Sequence, residues 1–501
     1  MYALTAKAIH EMDEFTIRNG MPGMVLMENA SKGVVEKVKE LFPSKESKIL
    51  LVVGSGNNGG DGFCVARWLL HIGYIVNILF LGKQEDMTSD SKNQFQILKN
   101  LYPEIKILKY SPSKYNIGDI DLIIDGLFGN GLNRDVKDDH MTLIDLINKH
   151  KAVKISIDIP SGLNATTGEI MKIAIVSDYT VTFDSIKTGM LLNDGPDCCG
   201  EISVVDIGIS KAGYKDTEDK TVICDKEFLD EGLKKVLVKR PKKSYKGTYG
   251  TVGIIAGSIK MTGASILAAR AAYKAGCGLV KVLCPKSTMS IYNMTVPEAI
   301  LEPYDDSNIE IVKPLVKDFI ESCDSICIGP GFREDDFGKG ILSVILTSNL
   351  RVVIDAGALN LISENLIDFT FRNCKCLLTP HVGEMAKLKK ISTNDIMKNL
   401  MGSAEEFANE YMVSLVLKSS TSVVVNRRKD GTIDRYINTL GNSGLATGGS
   451  GDVLTGIIAS LIAQGNSLNN SLLYGVLIHA NASENYGNER NMTATDIIEN
   501  M

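Results

Sequence analysis

Acids and amides at the ends of apolar runs are the residues of this sequence best suited to chemistry. The run Lys48–Val53 leads into GSGNNGGDG at 54–62 and then into the helical pattern FCVARWLLHIG. Leu122–Asp125 ends in an acid and is followed by the glycine-rich GLFGNGLNRD; Lys154–Asp158 ends in an acid and is followed by IPSG. Ligands of open parallel sheets bind beyond the carboxyl ends of the strands, so Asn58, Asp125, Asp158 and Ser161 are expected on one rim. Carboxylates there can give or take protons. A glycine-rich turn that opens a helix offers free N–H groups and a positive dipole end to a phosphate. The glycines do not fall in the usual dinucleotide frame GxGxxG. Asn57, Asn58 and Asp61 add polar side chains that a tight turn does not need, although a plain βα turn with solvated asparagines has the same composition. One strand-end acid usually caps or turns the chain; several, with three glycine-containing loops, point to a site.

A second constellation lies at 441–465, GNSGLATGGSGDVLTGIIASLIAQG. A glycine-rich turn opens a helix whose apolar positions continue through Leu454, Ile457, Ile458 and Leu461. Its N-terminus suits phosphate oxygens and the charge that develops on them. Asp452 sits at the helix start. Local geometry leaves two readings open: an N-cap, or the base that accepts a hydroxyl proton in phosphoryl transfer.

Positioning two such clusters takes two sheets. Besides the three strands above, Ile75–Leu81 completes a first series. A second follows: Thr251–Ala256, Leu279–Cys284, Ser325–Ile328, Arg351–Asp355 and Lys375–Thr379. Apolar runs alternating with helical patterns indicate mostly parallel sheets covered on both faces. A chain of 501 residues exceeds one ordinary core. The polar stretch Ser210–Lys220, SKAGYKDTEDK, is the expected linker and places the boundary near residue 220; the basic KRPKKSYKGTYG at 239–250 leads into the second series. The halves share no internal repeat, so two different folds are expected.

Composition narrows the function classes. The balance of 44% hydrophobic and 23% charged residues is that of a soluble globular protein. A net charge of -6 gives no basic field for nucleic acid or an anionic membrane. The N-terminus MYALTAKAIHEMDEF lacks the pattern of a signal peptide. The ten cysteines, with Cys198 and Cys199 adjacent and Cys374 one residue from Cys376, form no CxxC pair. Reduced, packed thiols and a cytoplasmic location are expected.

The motifs then carry a specific resemblance. LTAKAIHEMDEFTIRNGMPGMVLMENA at 4–30, SGNNGGDG at 55–62, DGLFGNGL at 125–132 and IDIPSGLNATTGE at 157–169 resemble the NAD(P)H-hydrate epimerase family. The likeness covers about the first 210 residues and implies a Rossmann-like three-layer α/β/α domain over 1–215. It implies that Asn57, Asn58, Gly59, Gly60 and Asp61, with Gly129, Asn130, Gly131, Leu132, Asn133, Arg134 and Asp135, bind the hydrated dinucleotide. It implies potassium held by Asn58, Asp125 and Ser161, and a substrate contact at Asp158, our choice for general acid/base. Lys187 is the second catalytic candidate. The family commonly has proline before this lysine, where this chain has Ile186, and a solvated surface lysine is the other reading.

The C-terminal half resembles the NAD(P)H-hydrate dehydratase branch of the ribokinase-like kinases. The likeness rests on KGTYGTVGIIAGS at 246–258, MTGASILAARAAYKAGCGLVKV at 261–282, GPGF at 329–332, TPHVGEMAKL at 379–388 and the GSGD loop. It implies a ribokinase-like α/β/α domain over 222–501 and favours Asp452 as catalytic. It implies substrate contacts at Ala264, Gly331, His381 and Asp452, and adenine-nucleotide contacts at Lys418, Ser419, Ser420, Thr421, Ser422 and Gly451. By local pattern alone, His381 reads equally as a buried, hydrogen-bonded histidine at a strand end. Three positions depart from the family: Gly357 replaces an Asp, Ser443 a proline and Ser419 a glycine.

The implied function is repair of NADH hydrate and NADPH hydrate. The first domain would interconvert the epimers and the second would dehydrate the S form at the expense of ADP with Mg2+. The expected assembly is a homo-oligomer. Two rivals stand beside it. One is a small-molecule kinase with a non-catalytic nucleotide-binding N-terminal domain. The other is a non-enzymatic scaffold, which the set Asn58, Asp125, Asp158 and Ser161 disfavours.

Overall fold

Alternation along the first strand explains the layering of the N-terminal half. In β1 (Lys48–Val53), Ile49, Leu51 and Val53 pack in one core cluster and Leu50 and Val52 in another. Successive side chains of a strand point to opposite faces, so a strand apolar throughout must be covered on both. α1 (Ala6–Arg18), α2 (Gly23–Leu41) and α3 (Asn57–His71) supply the first cluster. α4 (Ser89–Leu101) joins them through Leu98, and α5 (Asp138–Lys149) supplies Leu143, Ile144 and Ile147 to the other face.

The computed structural model describes residues 1–110, 117–213, 219–237, 239–364 and 375–501. Positions 214–218 of the expected linker, residue 215 at the end of the first expected domain, and Cys374 lie outside the described residues. The chain divides into two compact units, Tyr2–Thr221 and Val222–Met501 with Met1. Among the described residues no helix is long and apolar enough to cross a membrane. The nine described cysteines are buried.

The N-terminal unit carries a parallel sheet. Its strands are β1, β2 (Ile75–Phe80), β3 (Ile107–Lys109), β4 (Leu122–Gly126), β5 (Val153–Ile157), β6 (Tyr179–Phe183) and β7 (Glu201–Val205), in the order β3-β2-β1-β4-β5-β6-β7. The chain steps outward from β1 to β3 and returns to β4 on the other side of β1. The β1/β4 boundary is thus the topological switch point, where loops diverge and leave a crevice. In register, Val52 lies beside Asp125 and Asp125 beside Ser156, so the loops after β1, β4 and β5 leave the sheet at one level. Tyr2–Leu4 and Ile186–Lys187 form a further short parallel pair.

The C-terminal unit repeats the principle with different topology. Its strands are β8 (Thr221–Cys224), β9 (Thr251–Ile255), β10 (Leu279–Pro285), β11 (Ile300–Tyr304), β12 (Ser325–Ile328), β13 (Arg351–Ile354), β14 (Lys375–Leu378), β15 (Ser414–Leu417), β16 (Val423–Arg427) and β17 (Ile433–Asn438). The order is β11-β10-β9-β12-β13-β14-β15-β16-β17-β8. Strands β9 to β15 are parallel, while β15–β16 and β16–β17 are antiparallel. One face packs on α7 (Thr262–Lys274), α13 (Ser450–Ala463) and α14 (Leu468–Tyr486). The other is covered by α8 (Ile309–Glu321), since a Cβ at Gly253 of β9 would meet Cys323 and Phe319 at 2.8 and 2.9 Å. Here the switch point falls between β9 and β12. Further helices are α6 (Lys226–Val236), α9 (Asp336–Leu346), α10 (Ala356–Glu364), α11 (Val382–Lys389) and α12 (Leu400–Tyr411).

Two differences from the sequence reading concern function. Asp158 and Asp355 are not the last residues of their strands, which end at Ile157 and Ile354. Asp158 turns the chain with φ 66, and so does Ala356 after Asp355 with φ 44. The strands β6, β7 and β17 also lie outside the sequence reading, because their runs mix polar residues such as Thr180, Thr182, Ser203 and Arg435 with apolar ones; β15 and β16 are short, mostly apolar runs that periodicity alone does not assign.

The turn after β5 depends on one glycine. Gly162 has φ +100, and a Cβ there would lie 2.0 Å from the Ile173 carbonyl oxygen. Gly162→Ala should therefore cost about 2 kcal/mol or more and displace Ser161. Chemical denaturation measures this; an unchanged midpoint would show that the turn relaxes freely.

Candidate functional sites

The N-terminal crevice is a cleft of ≈ 260 Å³. Helix α1 contributes Asp13 to its lining, α3 contributes Asn57, Asn58 and Asp61, and the loops after β4 and β5 contribute Gly129, Asn130 and Asp158. Lys187 completes it from the segment after β6. The other expected dinucleotide contacts differ in placement. Gly59 and Gly60 are buried in the first turn of α3. Gly131, Leu132, Asn133, Arg134 and Asp135 are not among the lining residues and are mostly exposed.

Lys187 is no surface lysine. Its side chain is 1% exposed and forms an ion pair with Asp158 Oδ1. Its ammonium also donates to Thr182 Oγ1 (2.8 Å) and the Phe183 carbonyl (3.3 Å). The Phe183 N–H donates to the same Asp158 oxygen at 3.3 Å. Ile186, where the family commonly has proline, sits in register with Ala3 as Lys187 does with Leu4, so backbone pairing fixes the lysine. Two further carboxyls share this environment. Burial, and then the charge of Asp158, push Asp13 up to about 6, against the pull of Lys187. The same two causes, with Asp13 added, push Asp61 well above the usual carboxylate range. One ammonium therefore faces three acids, and burial and mutual repulsion favour the protonated forms of Asp13 and Asp61. The sequence contained Asp13 in HEMDEF, but nothing local distinguished it from its exposed acidic neighbours.

Asp125 and Ser161 form a tight knot beside this cleft. Asp125 Oδ1 accepts from Ser161 Oγ (2.6 Å) and the Leu127 N–H (3.2 Å). Its Oδ2 accepts from the Ser161 N–H (2.8 Å) and Ser156 Oγ (2.9 Å). Asn58 Nδ2 donates to the Phe128 carbonyl at 2.9 Å, and the Phe128 N–H donates to Ser161 Oγ at 2.8 Å. The knot thus joins the loops after β1, β4 and β5. Burial raises the Asp125 carboxyl despite these donors.

In the C-terminal unit a second lysine meets several acids. Lys418, just past β15, donates to Asp355 Oδ1 at 2.9 Å, and Thr455 of α13 donates to Asp355 Oδ2 at 3.0 Å. Burial disfavours the ammonium, but Asp355 and Glu384 outweigh it, so its pKa is raised. Asp452 is pushed up to about 6 by burial and by Asp355. The same causes push Glu384 up to about 7. The N-cap of α13 is Gly449, with φ 92, and Asp452 lies in the first turn without a capping bond, which removes the N-cap reading. A Cβ at Gly451 would lie 3.2 Å from Lys418 Nζ and 3.5 Å from Asp355 Oδ2, so the helix end and the lysine share one pocket wall.

His381 is neither buried nor at a strand end in the expected sense. It caps α11: its Nδ1 accepts from the Gly383 and Glu384 N–H groups (3.0 and 3.3 Å), and Glu384 Oε2 accepts from its N–H at 2.8 Å. Its side chain is 59% exposed. Ala264 and Gly331 are adjacent; a Cβ at Gly331 would lie 2.9 Å from that of Ala264. Ser419, Ser420, Thr421 and Ser422 form the β15–β16 turn, with Thr421 buried and Ser420 exposed. Gly357 opens no gap: a Cβ there would meet the Phe332 carbonyl at 2.8 Å, and Asp355 supplies this strand end with its carboxylate. Asp355, Glu384 and Thr455 lie outside the sequence reading of the site, although VIDAGALN and TPHVGEM contain both acids; the available signals are an acid just past a strand for Asp355 and an acid in the first turn of a helix for Glu384.

The buried pair in the N-terminal unit is directly testable. Lys187→Met leaves the Asp158 charge uncompensated and should cost about 3–5 kcal/mol near neutral pH. The double variant Lys187→Met with Asp158→Asn should recover most of it. A single-variant loss below about 1 kcal/mol would show that the pair adds nothing to stability.

Comparison with known proteins fits both sites into one family. Residues 23–189 match the family model described as YjeF-related protein N-terminus, and residues 252–501 match that described as NAD(P)H-hydrate dehydratase. The chain is 33% identical to the bifunctional NAD(P)H-hydrate repair enzyme Nnr of Moorella thermoacetica, covering 100% of this chain and 96% of that protein. The protein of the same name from Dictyoglomus turgidum is 33% identical, with 99% and 97% covered. Among solved structures, the ADP/ATP-dependent NAD(P)H-hydrate dehydratase from Bacillus subtilis is 26% identical over 56% of this chain and 96% of that one, with a TM-score of 0.48. By its identity to relatives over the full length, this chain belongs to the bifunctional NAD(P)H-hydrate repair enzymes, which join an epimerase to an NAD(P)H-hydrate dehydratase.

Proposed function

We propose that the N-terminal unit, residues 1–215, exchanges the R and S epimers of NADH hydrate and NADPH hydrate, and that the C-terminal unit, residues 222–501, dehydrates the S epimer at the expense of ADP. The observation that carries this reading is the pair of distinct acid–lysine sites, one beside a cleft and one at a glycine-rich helix end. The substrate carries a hydroxyl at C6 of the reduced nicotinamide ring, and hydroxide is a poor leaving group. Phosphorylating that oxygen converts it into a good one, after which phosphate departs and the ring double bond returns.

Asp452 is assigned as the base that takes the hydroxyl proton. The amides at Gly448–Gly451 hold the transferring phosphoryl group, and Lys418 faces the same oxygens. Ala264, Gly331 and His381 are assigned to the hydrated dinucleotide, and Lys418–Ser422 with Gly451 to the adenine nucleotide. Among the described residues no group of three acids, histidines or cysteines is placed to hold a metal. Magnesium would be held here chiefly by the nucleotide phosphates and would supply charge neutralisation. In the epimerase unit, Asn57, Asn58, Asp61, Asn130 and Asp158 are assigned to the substrate.

The knot around Asp125 fits a potassium ion. Asp125 is a buried carboxylate among hydroxyl, carbonyl and amide oxygens, and a single negative charge with hard oxygen donors suits a monovalent cation. Asn58, Asp125 and Ser161 would hold it, and the ion would offset the buried charge. A cytoplasmic homo-oligomer is the expected setting.

Recovery of absorbance from a mixture of hydrated NADH epimers tests the division of labour: full conversion with ADP is expected, and a stable phosphorylated product would instead indicate a small-molecule kinase. Asp452→Asn should keep ADP affinity and lose turnover by about 10²–10⁴-fold. The parental rate should decline as pH falls through about 6, because the raised Asp452 carboxyl is then protonated and unable to accept a proton. A stable variant that binds ADP and dehydrates at the parental rate would remove Asp452 from the mechanism.

A further inference from the structure

The epimerase cleft is built for a positive charge. Asp13, Asp61, Asp158 and Asp184 line it, with Glu14 and Asp90 further along, against Lys187 and His10. Such a lining is ill suited to the pyrophosphate of a dinucleotide and well suited to a cation on the ring. Epimers at C6 can interconvert in two ways. Either the C6–O bond breaks and leaves a planar iminium, or the C6–N1 bond breaks and leaves an open-chain aldehyde. Only the first places a full positive charge on the ring, and it requires an acid for the departing hydroxyl and a base for the returning water.

We propose that epimerisation proceeds by loss and return of water at C6, with Asp13 protonating the departing hydroxyl and Asp158 accepting the proton of the water that adds to the opposite face. The inference rests on the epimerase reading of this unit. In the first step the C6–O bond breaks, the Asp13 proton leaves with the oxygen as water, and the N1 lone pair forms the C6=N1 iminium bond. In the second step a water oxygen bonds to C6, the iminium electrons return to N1, and the released proton passes to the Asp158 carboxylate. Nothing is oxidised or reduced, and the proton goes back to Asp13 through solvent or in a turnover of the reverse sense.

The geometry supports each role. Asp158 forms an ion pair with the buried Lys187 and accepts from the Phe183 N–H. Asp13 reaches the cleft from α1, a different element from the strand-end turn that carries Asp158, so two separate elements supply the acid and the base to one cleft. The groups acting on Asp13 are Asp158 and Asp184, which favour its protonated form, and Lys187 and His10, which oppose it. Asp61 is a third carboxyl of the lining, and burial with the charges of Asp158 and Asp13 favours its protonated form. When the iminium forms, the Asp13 carboxylate left by the proton transfer becomes its counter-charge without any group having to move.

The test uses the full chain without ADP, so that dehydration is silent, in water enriched in 18O. One 18O atom is expected at C6 of each newly formed epimer, after subtracting the uncatalysed exchange. Product that retains 16O at the catalysed rate would overturn the proposal in favour of C6–N1 cleavage. Asp13→Asn should lower the epimerisation rate by about 10²–10⁴-fold and abolish the catalysed 18O uptake. Its denaturation midpoint for the N-terminal unit should match the parent's, which separates a lost acid from a misfolded unit; a lowered midpoint with a rate not restored by Asp13→Glu would overturn the catalytic role. Asp13→Glu should restore part of the rate. Near-parental epimerisation by a stable Asp13→Asn would remove Asp13. Absence of any epimerisation in the parental chain would instead refute the underlying reading.

Discussion

One constraint recurs in both halves of the molecule: a single buried or half-buried lysine has to balance more carboxylates than it has charge. Lys187 faces Asp158, Asp13 and Asp61; Lys418 faces Asp355, Asp452 and Glu384. Two isolated opposite charges would form a quiet ion pair. With extra acids in the same low-dielectric space the total negative charge exceeds what one ammonium can offset, so some carboxyls retain protons near neutral pH. That surplus turns a structural pair into acid/base machinery.

Both clusters exist because parallel sheets end at one level. On one side of the switch point in each sheet, the residues just past the strands are the ones that meet: Asp158 after β5 and Lys187 beyond β6 in one unit, Asp355 after β13 and Lys418 after β15 in the other. None of these side chains lies on a neighbouring position in sequence. Asp355 and Lys418 are joined only because β13, β14 and β15 are in register, and the helix α13 reaches them through Thr455. The strands themselves are rigid and apolar, so the geometry of the acids is set by packing rather than by the loops.

Much of this was legible in the sequence, and the gaps have physical reasons. The strands that read correctly, such as Lys48–Val53 and Ser325–Ile328, are apolar on both faces and bounded by turns. Those that escaped, such as Tyr179–Phe183 and Ile433–Asn438, mix polar residues into the run, and β15 to β17 switch to antiparallel pairing. Asp158 and Asp452 stood out because glycines flank them. Asp13 did not, because a helix surface shows acids routinely and only tertiary packing brings this one to the cleft. The exposure of Lys187 was likewise undecidable from its neighbours, since burial came from β-pairing with residues 3 and 4 far away in the chain.

The difference between the two clusters matches the difference between the two reactions. Exchanging one epimer for the other starts and ends with a hydroxyl on C6, so water can serve as both leaving group and nucleophile, and no energy source is needed. A site for that reaction has to stabilise a cation briefly and return water faster than a proton is lost from C5. Net dehydration is another matter, because the oxygen must leave for good. There the useful features would be a glycine-rich helix N-terminus with a lysine beside it, as Gly449–Gly451 and Lys418 provide, to hold phosphate oxygens. In the N-terminal cleft the buried lysine is instead taken up by Asp158, and Asp13 and Asp61 stand around that pair. A similar excess of carboxyls over lysine thus serves two uses, and what separates them is whether the lysine is left beside a helix end or is sealed in an ion pair.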